Sequence, residues 1–135
     1  MAAQILIVDD NPVNLKLAVS VLERAGFAVT CAGSAEEALV VIEARLPQLV
    51  LMDIGLPGMD GLTLTRRLKS DSRYAGSRIV ALTAFAMKGD DRKALEAGCD
   101  GYITKPINTR TFAGQVAAYL PPGADVAFGA NGDPT

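Results

Sequence analysis

The stretch Ile5-Leu6-Ile7-Val8-Asp9-Asp10-Asn11 decides the fold, because four large aliphatic residues run without interruption into two adjacent carboxylates. A continuous apolar run of this length is typical of a strand buried on both faces of a parallel sheet. The same kind of junction recurs where "LVLM" meets Asp53 and where "IVAL" meets Thr83. These junctions predict buried strands whose polar ends gather at one edge of a sheet.

Five short runs of β-branched and aliphatic residues alternate with helical patterns along the chain. The runs occupy residues 4–8, 27–31, 48–52, 78–83 and 101–104. Parallel neighbours need crossover connections of one hand, so five strand-helix units predict an α/β, doubly wound parallel sheet. The common strand order for such a sheet is 2-1-3-4-5.

The helices are predicted from apolar spacing and from signals at their ends. Pro12 suits the first turn of the first helix, and Gly26 ends it. Ser34 with Glu37 three residues later predicts a capping box for the second helix. The other three are predicted at about 61–71, 88–97 and 109–120, the last with Asn108 as its N-cap. The first helix is expected to bury one apolar face, made of Leu17, Ala18, Val21, Leu22 and Ala25.

Composition narrows the class of protein. The 135 residues carry a net charge of −2 with scattered Lys and Arg, which argues against direct nucleic-acid binding. No apolar run approaches the roughly 18 residues of a membrane span, so a cytoplasmic protein with no membrane contact is expected. Cys31 and Cys99 are predicted to be free, buried thiols. Residues 1–120 are expected to form one domain, and 121–135, rich in Pro, Gly and Asp, a disordered tail.

Acidic residues follow two strands that are neighbours in the predicted order. Strands 1 and 3 meet at the point where strand order reverses, so Asp9, Asp10 and Asp53 are expected to converge there. Clustered carboxylates repel one another unless a cation neutralises them, and hard oxygen ligands favour Mg²⁺. Thr83 from strand 4 and Lys105 after strand 5 add a hydroxyl and an amine. This set predicts phosphoryl transfer onto an aspartate.

Each of these five residues also has an ordinary structural explanation. Alone, Asp9, Asp10 or Asp53 would more often cap a turn or a helix. Thr83 alone could form a hydrogen bond with a loop backbone group, and Lys105 alone could be a solvated lysine. Their joint position at the ends of four adjacent strands favours the functional interpretation.

The motifs that carry these residues resemble those of a response regulator receiver domain of the CheY type. They are "ILIVDDN", "LVLMDIGLPGMDG", "ALTA" and "YITKPI", and the resemblance covers roughly residues 3–120. The stretch "TAFAMKGDDRKALEAGCDGYITKPI" is similar to DivK-like regulators and to receivers attached to hybrid kinases. The resemblance implies a (βα)5, flavodoxin-like fold.

The resemblance also implies roles for individual residues. Asp53 would be the phosphoacceptor, and Asp9 and Asp10 the acidic pair that holds Mg²⁺. Asp53 itself and the carbonyl of Gly55 would complete the protein ligands of the ion.

Three further roles concern the response to phosphorylation. Thr83 and Lys105 would contact the phosphoryl oxygens, and the Lys105-Pro106 peptide bond would be cis. Tyr102 matches an aromatic position whose rotamer changes with phosphorylation. Thr83 and Tyr102 would thus form the switch, although a half-buried aromatic on an edge strand is an equally good description of Tyr102.

The implied function is a stand-alone response regulator of a two-component phosphorelay. Its phosphoryl donor would be a histidine kinase or a histidine phosphotransfer protein, and its own chemistry would be limited to autophosphorylation and autodephosphorylation. Output would pass to a protein partner through the face of the fourth helix, fifth strand and fifth helix. That face includes Met87, Lys88 and Tyr102, and the protein would be a monomer or a weak phosphorylation-dependent dimer.

Two other function classes fit the sequence poorly. An aspartyl-phosphate phosphatase or mutase carries a second Asp two residues after its nucleophile, and that position is Gly55. A dinucleotide-binding module needs a Gly-rich phosphate loop after strand 1, where this chain has "DDNPVN".

Overall fold

The computed structural model describes residues 3–53, 61–74, 76–83, 95–104 and 107–120. Within these ranges the elements are β1 (Gln4–Val8), α1 (Pro12–Arg24), β2 (Ala28–Ala32), α2 (Ala35–Ala44), β3 (Leu49–Asp53), α3 (Gly61–Ser70), β4 (Arg78–Thr83), β5 (Gly101–Thr104) and α4 (Phe112–Tyr119). Our α4 is the fifth of the predicted helices. Most of the fourth lies outside the described residues, which include its helical end at 95–97 before Gly98.

The five strands form one parallel sheet in the order β2-β1-β3-β4-β5, which confirms the predicted fold. In its register, Ile7 of β1 lies opposite Cys31 of β2 and Leu51 of β3. Every residue of β3 is buried, and so is every residue of β1 after Gln4. Helices cover both faces of these strands, which is why their sequences are continuously apolar.

Two hydrophobic cores lie on opposite faces of the sheet. One packs α2 and α3 against the strands through side chains that include Ala38, Ile42, Leu64 and Leu68. The other packs α1 and α4 through side chains that include Ala18, Leu22, Phe112 and Val116. The carboxyl ends of the central strands therefore meet at one edge between the two layers.

The first helix begins as predicted, and its predicted apolar face packs on the core except at Leu17. The Asn11 side-chain carbonyl accepts the N–H groups of Val13 and Asn14, and Pro12 is the first helical residue. The buried positions are Ala18 and Leu22, whereas Leu17 is 40% exposed. A neighbour in sequence is turned by about 100° on a helix, so Leu17 falls outside the face centred on Ala18.

The second helix carries a variant of the predicted capping box. Ser34 Oγ accepts the N–H of Glu37 at 3.1 Å, as expected. The Glu37 carboxylate, however, accepts the N–H of Gly33 at 2.9 Å rather than that of Ser34. The pair still satisfies two donors at the start of α2.

The last helix starts later than predicted. Asn108 Oδ1 accepts the N–H of Arg110, and the Asn108 carbonyl accepts those of Thr111 and Phe112. Asn108 thus stabilises a turn before the helix, and Thr111 is the N-cap without a side-chain hydrogen bond.

The two cysteines differ in environment. Cys99 is buried as predicted, and burial raises the pKa of its thiol, which donates a hydrogen bond to Thr65 Oγ1. Cys31 is exposed, which contradicts the prediction. It lies on β2, an edge strand that is covered less completely than β1 or β3. Among the described residues, no helix has the length and apolar character to cross a membrane.

Candidate functional site

Three carboxylates converge where β1 and β3 end. Val8 is the last residue of β1 and pairs with Met52, so the residues that follow each of them are neighbours. Those residues are Asp9 and Asp53, with Asp10 next along the chain. One carboxylate oxygen from each of the three lies within 4.8 Å of the others. The predicted convergence of these residues is therefore present in the structure.

The three carboxylates differ in exposure. Asp9 is 1% exposed and Asp53 is 9% exposed, whereas Asp10 faces solvent. Asp9 Oδ1 accepts the backbone N–H of Asn11 at 2.9 Å, which fixes its carboxylate. Removing two negative charges from water is costly, and their mutual repulsion adds to the cost. The cluster is thus arranged so that a bound cation would stabilise it.

The donor set fits a small, hard cation. Mg²⁺ binds oxygen ligands at about 2.1 Å, so opposite ligands of one ion lie about 4.2 Å apart. The three carboxylate oxygens lie within 4.8 Å of one another, so small side-chain adjustments would bring all three within reach of one such ion. The further ligand implied by the resemblance, the carbonyl of Gly55, lies outside the described residues.

The register places two more predicted residues beside Asp53. Asp53 pairs with Leu82, so Thr83 is one residue further along the neighbouring strand. Thr83 in turn pairs with Thr104, after which comes Lys105. The Thr83 hydroxyl, Lys105 and Pro106 are outside what the structure describes. The predicted phosphoryl contacts and the predicted cis bond therefore remain predictions.

Tyr102 lies on the edge strand β5, with its side chain 39% exposed. Its carbonyl accepts a long hydrogen bond of 3.5 Å from the Tyr119 hydroxyl. The Tyr119 ring lies directly against Gly101, where an added β-carbon would clash with the ring. The backbone of β5 is thereby packed against α4, while the Tyr102 side chain points outward.

Asn11 is a positioning residue absent from the predicted set. Its backbone N–H binds Asp9, and its side chain caps α1, so it joins the acidic cluster to the start of the helix. The signal in the sequence is an Asn directly before a Pro, which is an N-cap followed by a first-turn residue.

Comparison with known proteins agrees with this architecture. The family model described as "Response regulator receiver domain" matches residues 5–117. The polar-differentiation response regulator DivK of Brucella ovis is 39% identical over 120 residues, which are 89% of this chain and 98% of that protein.

Solved structures agree as well. A putative response regulator from Chloroflexus aurantiacus superposes with a TM-score of 0.85 at 33% identity, covering 89% of this chain and 98% of its own. The receiver domain of Saccharomyces cerevisiae Ssk1, solved with the histidine phosphotransfer signaling protein Ypd1, is also similar. That match has a TM-score of 0.80 and 28% identity, and it covers 88% of this chain and 89% of the other.

Proposed function

The chain belongs to the response regulator receiver domain family, and we propose that it acts as a stand-alone phosphorylation switch of a two-component phosphorelay. In this proposal Asp53 accepts the phosphoryl group, and Asp9, Asp10 and Asp53 hold Mg²⁺. The observation that carries it is the convergence of these three carboxylates within 4.8 Å, two of them nearly buried. The 39% identity to a DivK response regulator over nearly its whole length supports the same role.

The transfer step follows from the chemistry of the site. A carboxylate oxygen of Asp53 attacks the phosphorus of a phosphohistidine, forming a P–O bond as the P–N bond to the imidazole breaks. A bound Mg²⁺ would offset the negative charge of the acids and of the phosphoryl oxygens. Asp9, held by Asn11, and the exposed Asp10 would hold the ion together with Asp53. The amine of Lys105 and the hydroxyl of Thr83 would contact the phosphoryl oxygens.

The donor is proposed to be a histidine kinase or a histidine phosphotransfer protein. Support comes from the similar Ssk1 receiver domain, which was solved in complex with the phosphotransfer protein Ypd1. The downstream partner is proposed to bind the face that contains Tyr102 and α4. Met87 and Lys88, which were predicted to belong to that face, lie outside the described residues.

The proposal is tested by phosphorylation with a small-molecule donor. With acetyl phosphate and Mg²⁺, intact-mass measurement should show one added phosphoryl group on the wild-type chain, and none on Asp53→Asn. The reason is that the site supplies its own nucleophile and its own metal ligands.

Asp71→Asn is a matched control, because Asp71 is an aspartate outside the cluster and is paired with Arg73. It should be phosphorylated like the wild type. A phosphoryl adduct that persists in Asp53→Asn would refute the assignment of the acceptor.

A further inference from the structure

The edge strand β2 has an open side along which a further strand can pair. The Ala28 N–H donates to the residue before β1, and the Ala32 carbonyl accepts from the residue after β1. Backbone groups alternate in direction along a strand, so those of Val29 and Cys31 are directed to the free edge. Proteins commonly block such an edge with a Lys or a Pro, and the sequence of β2, "AVTCA", contains neither.

An apolar groove follows the same edge on the α1 face of the sheet. It has a volume of about 720 Å³ and includes the partly buried side chains of Leu15 and Val19. Lys16 and Glu23 border it on α1, Cys31 borders it on β2, and all three are exposed. The groove contains none of the three clustered carboxylates, so it is separate from the site described above.

We propose that β2 pairs with β2 of a second copy of this chain, antiparallel, about a two-fold axis perpendicular to the sheet. Thr30 of each copy then lies opposite Thr30 of the other at the axis, and Val29 lies opposite Cys31. Because the backbone groups of Val29 and Cys31 are directed outward, this pair can exchange both N–H···O bonds. The symmetry makes the pair twice, and the contact closes as a dimer with one continuous sheet.

The same axis places α1 beside α1 of the second copy at a suitable distance. The helix contacts both β1 and β2, so it lies over the space between them. With strands about 4.8 Å apart, α1 is about 5 Å from the two-fold axis and about 10 Å from its symmetry mate. Packed helices are about 8–10 Å apart, so Leu15 and Val19 of both copies can fill the groove between them.

The charges along α1 are self-complementary in this arrangement. The two helices run in opposite directions, and Val19 and Ser20 line the groove together with Cys31 near the axis. When the axis passes between Val19 and Ser20, Lys16 of each copy lies opposite Glu23 of the other. Among the described residues, neither charge forms a salt bridge within its own chain. Exposed pairs contribute little and are screened by salt, so the dimer is weak and is favoured at low salt.

The α2 face of the edge is compatible with the same contact. Val41 and Arg45 border the edge there and line a small cavity with Thr30. The α2 helices of the two copies also run in opposite directions, and Arg45 is the C-cap of each. The two arginines therefore lie toward opposite ends of the contact and do not face each other.

Sedimentation velocity over a wide range of concentration at low salt measures the association. We expect wild type and Asp53→Asn to dimerise alike, so this proposal and the assignment of the phosphoacceptor fail independently. Lys16→Glu or Glu23→Lys alone should weaken dimerisation about tenfold, because both symmetric pairs become repulsive. The chain that carries both changes restores opposite charges and should dimerise like the wild type.

A cysteine at the axis tests the register of the pairing. Directly opposite residues of a pair without hydrogen bonds have Cα atoms about 4.5 Å apart, which suits a disulfide. Diagonal neighbours are about 7–8 Å apart, which is too far. Thr30→Cys with Cys31→Ser should therefore form a covalent dimer under mild oxidation, at least about tenfold faster than the wild type, in which the two Cys31 residues are diagonal neighbours.

A matched pair of substitutions completes the test. Thr30→Lys places two like charges directly opposite each other at the axis and should weaken dimerisation. Ser70→Lys adds the same charge at an exposed position of α3 and should leave it unchanged. A wild-type chain that stays monomeric would overturn the proposal, and so would equal dimerisation of these two variants. Equal oxidation rates in the register test would overturn it as well. So would failure of the Lys16 and Glu23 exchange to restore dimerisation when circular dichroism shows a folded chain.

Discussion

Asp9 and Asp10 are adjacent in sequence but are not equivalent in the structure. Asp9 is 1% exposed and accepts a hydrogen bond from Asn11, so its carboxylate has a structural task as well as a charge. Asp10 is exposed and belongs to the cluster through its proximity to Asp9 and Asp53. Substitution of Asp10 therefore tests the metal site with the smaller disturbance to the fold.

Asp10→Ala is expected to abolish the stabilisation of the fold by Mg²⁺. A ligand that binds only the native state stabilises by RT ln(1 + [L]/Kd), about 2.7 kcal/mol at a hundredfold excess over Kd. Without metal, the variant should melt at or above the wild-type temperature, because one repelling charge has gone. Thermal melts with and without Mg²⁺ measure both effects.

Glu96→Ala serves as the control for this prediction, since Glu96 is an exposed acid outside the carboxylate cluster. It should retain the full Mg²⁺-dependent shift. Equal shifts in wild type and Asp10→Ala would contradict the proposed metal site.

The acidic cluster was predictable from the sequence. The exposure of individual side chains was harder to predict. Asp9 and Asp53 follow continuous apolar runs, and the strand order alone makes those runs neighbours. Cys31 lies in a run of similar appearance, yet it is exposed because β2 is at the edge of the sheet. Leu17 is exposed because it is turned by about 100° from its neighbour Ala18, which lies on the buried face of the helix.

At the scale of elements, Asp100 joins three segments near the start of β4. Its Oδ2 accepts hydrogen bonds from Lys69 Nζ at 2.9 Å and from the Ile79 N–H at 2.7 Å. Lys69 Nζ also donates to the Ser77 carbonyl at 2.9 Å. The end of α3, the start of β4 and the segment before β5 are thereby held together.

Asp100→Ala should lower the free energy of unfolding by about 1–3 kcal/mol, because it leaves the Ile79 N–H and the Lys69 amine without this acceptor. Asp71→Ala is the matched comparison, since Asp71 also binds a basic side chain, but that of Arg73, which is two residues away and largely exposed. It should change stability little. Urea denaturation of the three proteins measures the difference, and equal losses would refute the structural role of Asp100.

The contribution of the Asp71–Arg73 pair to stability depends on pH. The hydrogen bond from Arg73 lowers the pKa of Asp71, so its small contribution is present above the usual pKa of an aspartate. That contribution is lost as the pH falls through the lowered pKa. Asp71→Ala and wild type should therefore converge in stability at acid pH.

Element types were predictable, whereas element ends depended on local hydrogen bonds. The strands at 4–8, 78–83 and 101–104 have their predicted bounds, and the other two are shifted by one residue. Such shifts are common at strand ends. The last helix starts at Phe112 because Asn108 stabilises a preceding turn instead of capping the helix. Asn is favoured both in turns and at N-caps, so its residue type alone does not distinguish the two.

At the scale of the molecule, the parallel register connects the acidic cluster with the edge strand β5. Asp53 pairs with Leu82, Thr83 follows on the same strand, and Tyr102 pairs with Ala81. A displacement of Thr83 toward a phosphoryl group on Asp53 would thus act one strand away from Tyr102. In the present structure the Tyr102 side chain is 39% exposed.

Thr83→Ala is predicted to leave phosphorylation of Asp53 largely intact but to remove its effect on partner binding. The hydroxyl is the group that would follow the phosphoryl oxygens and make room for Tyr102 to turn inward. Titration of the cognate partner with phosphorylated wild type and Thr83→Ala measures the coupling. The same gain in affinity in both proteins would show that the signal takes another route.

The contact between Gly101 and Tyr119 has a consequence for the evolution of this chain. A β-carbon at position 101 would clash with the ring of Tyr119, so a larger residue there requires that ring to move. Homologues with any other residue in place of Gly101 should carry a smaller residue in place of Tyr119, or one that turns away from β5. An alignment can check this pairing, and frequent homologues that combine a bulky residue at 101 with an inward aromatic at 119 would contradict it. A substitution of Gly101 alone would then be an unfavourable intermediate, so the change at Tyr119 would have to come first.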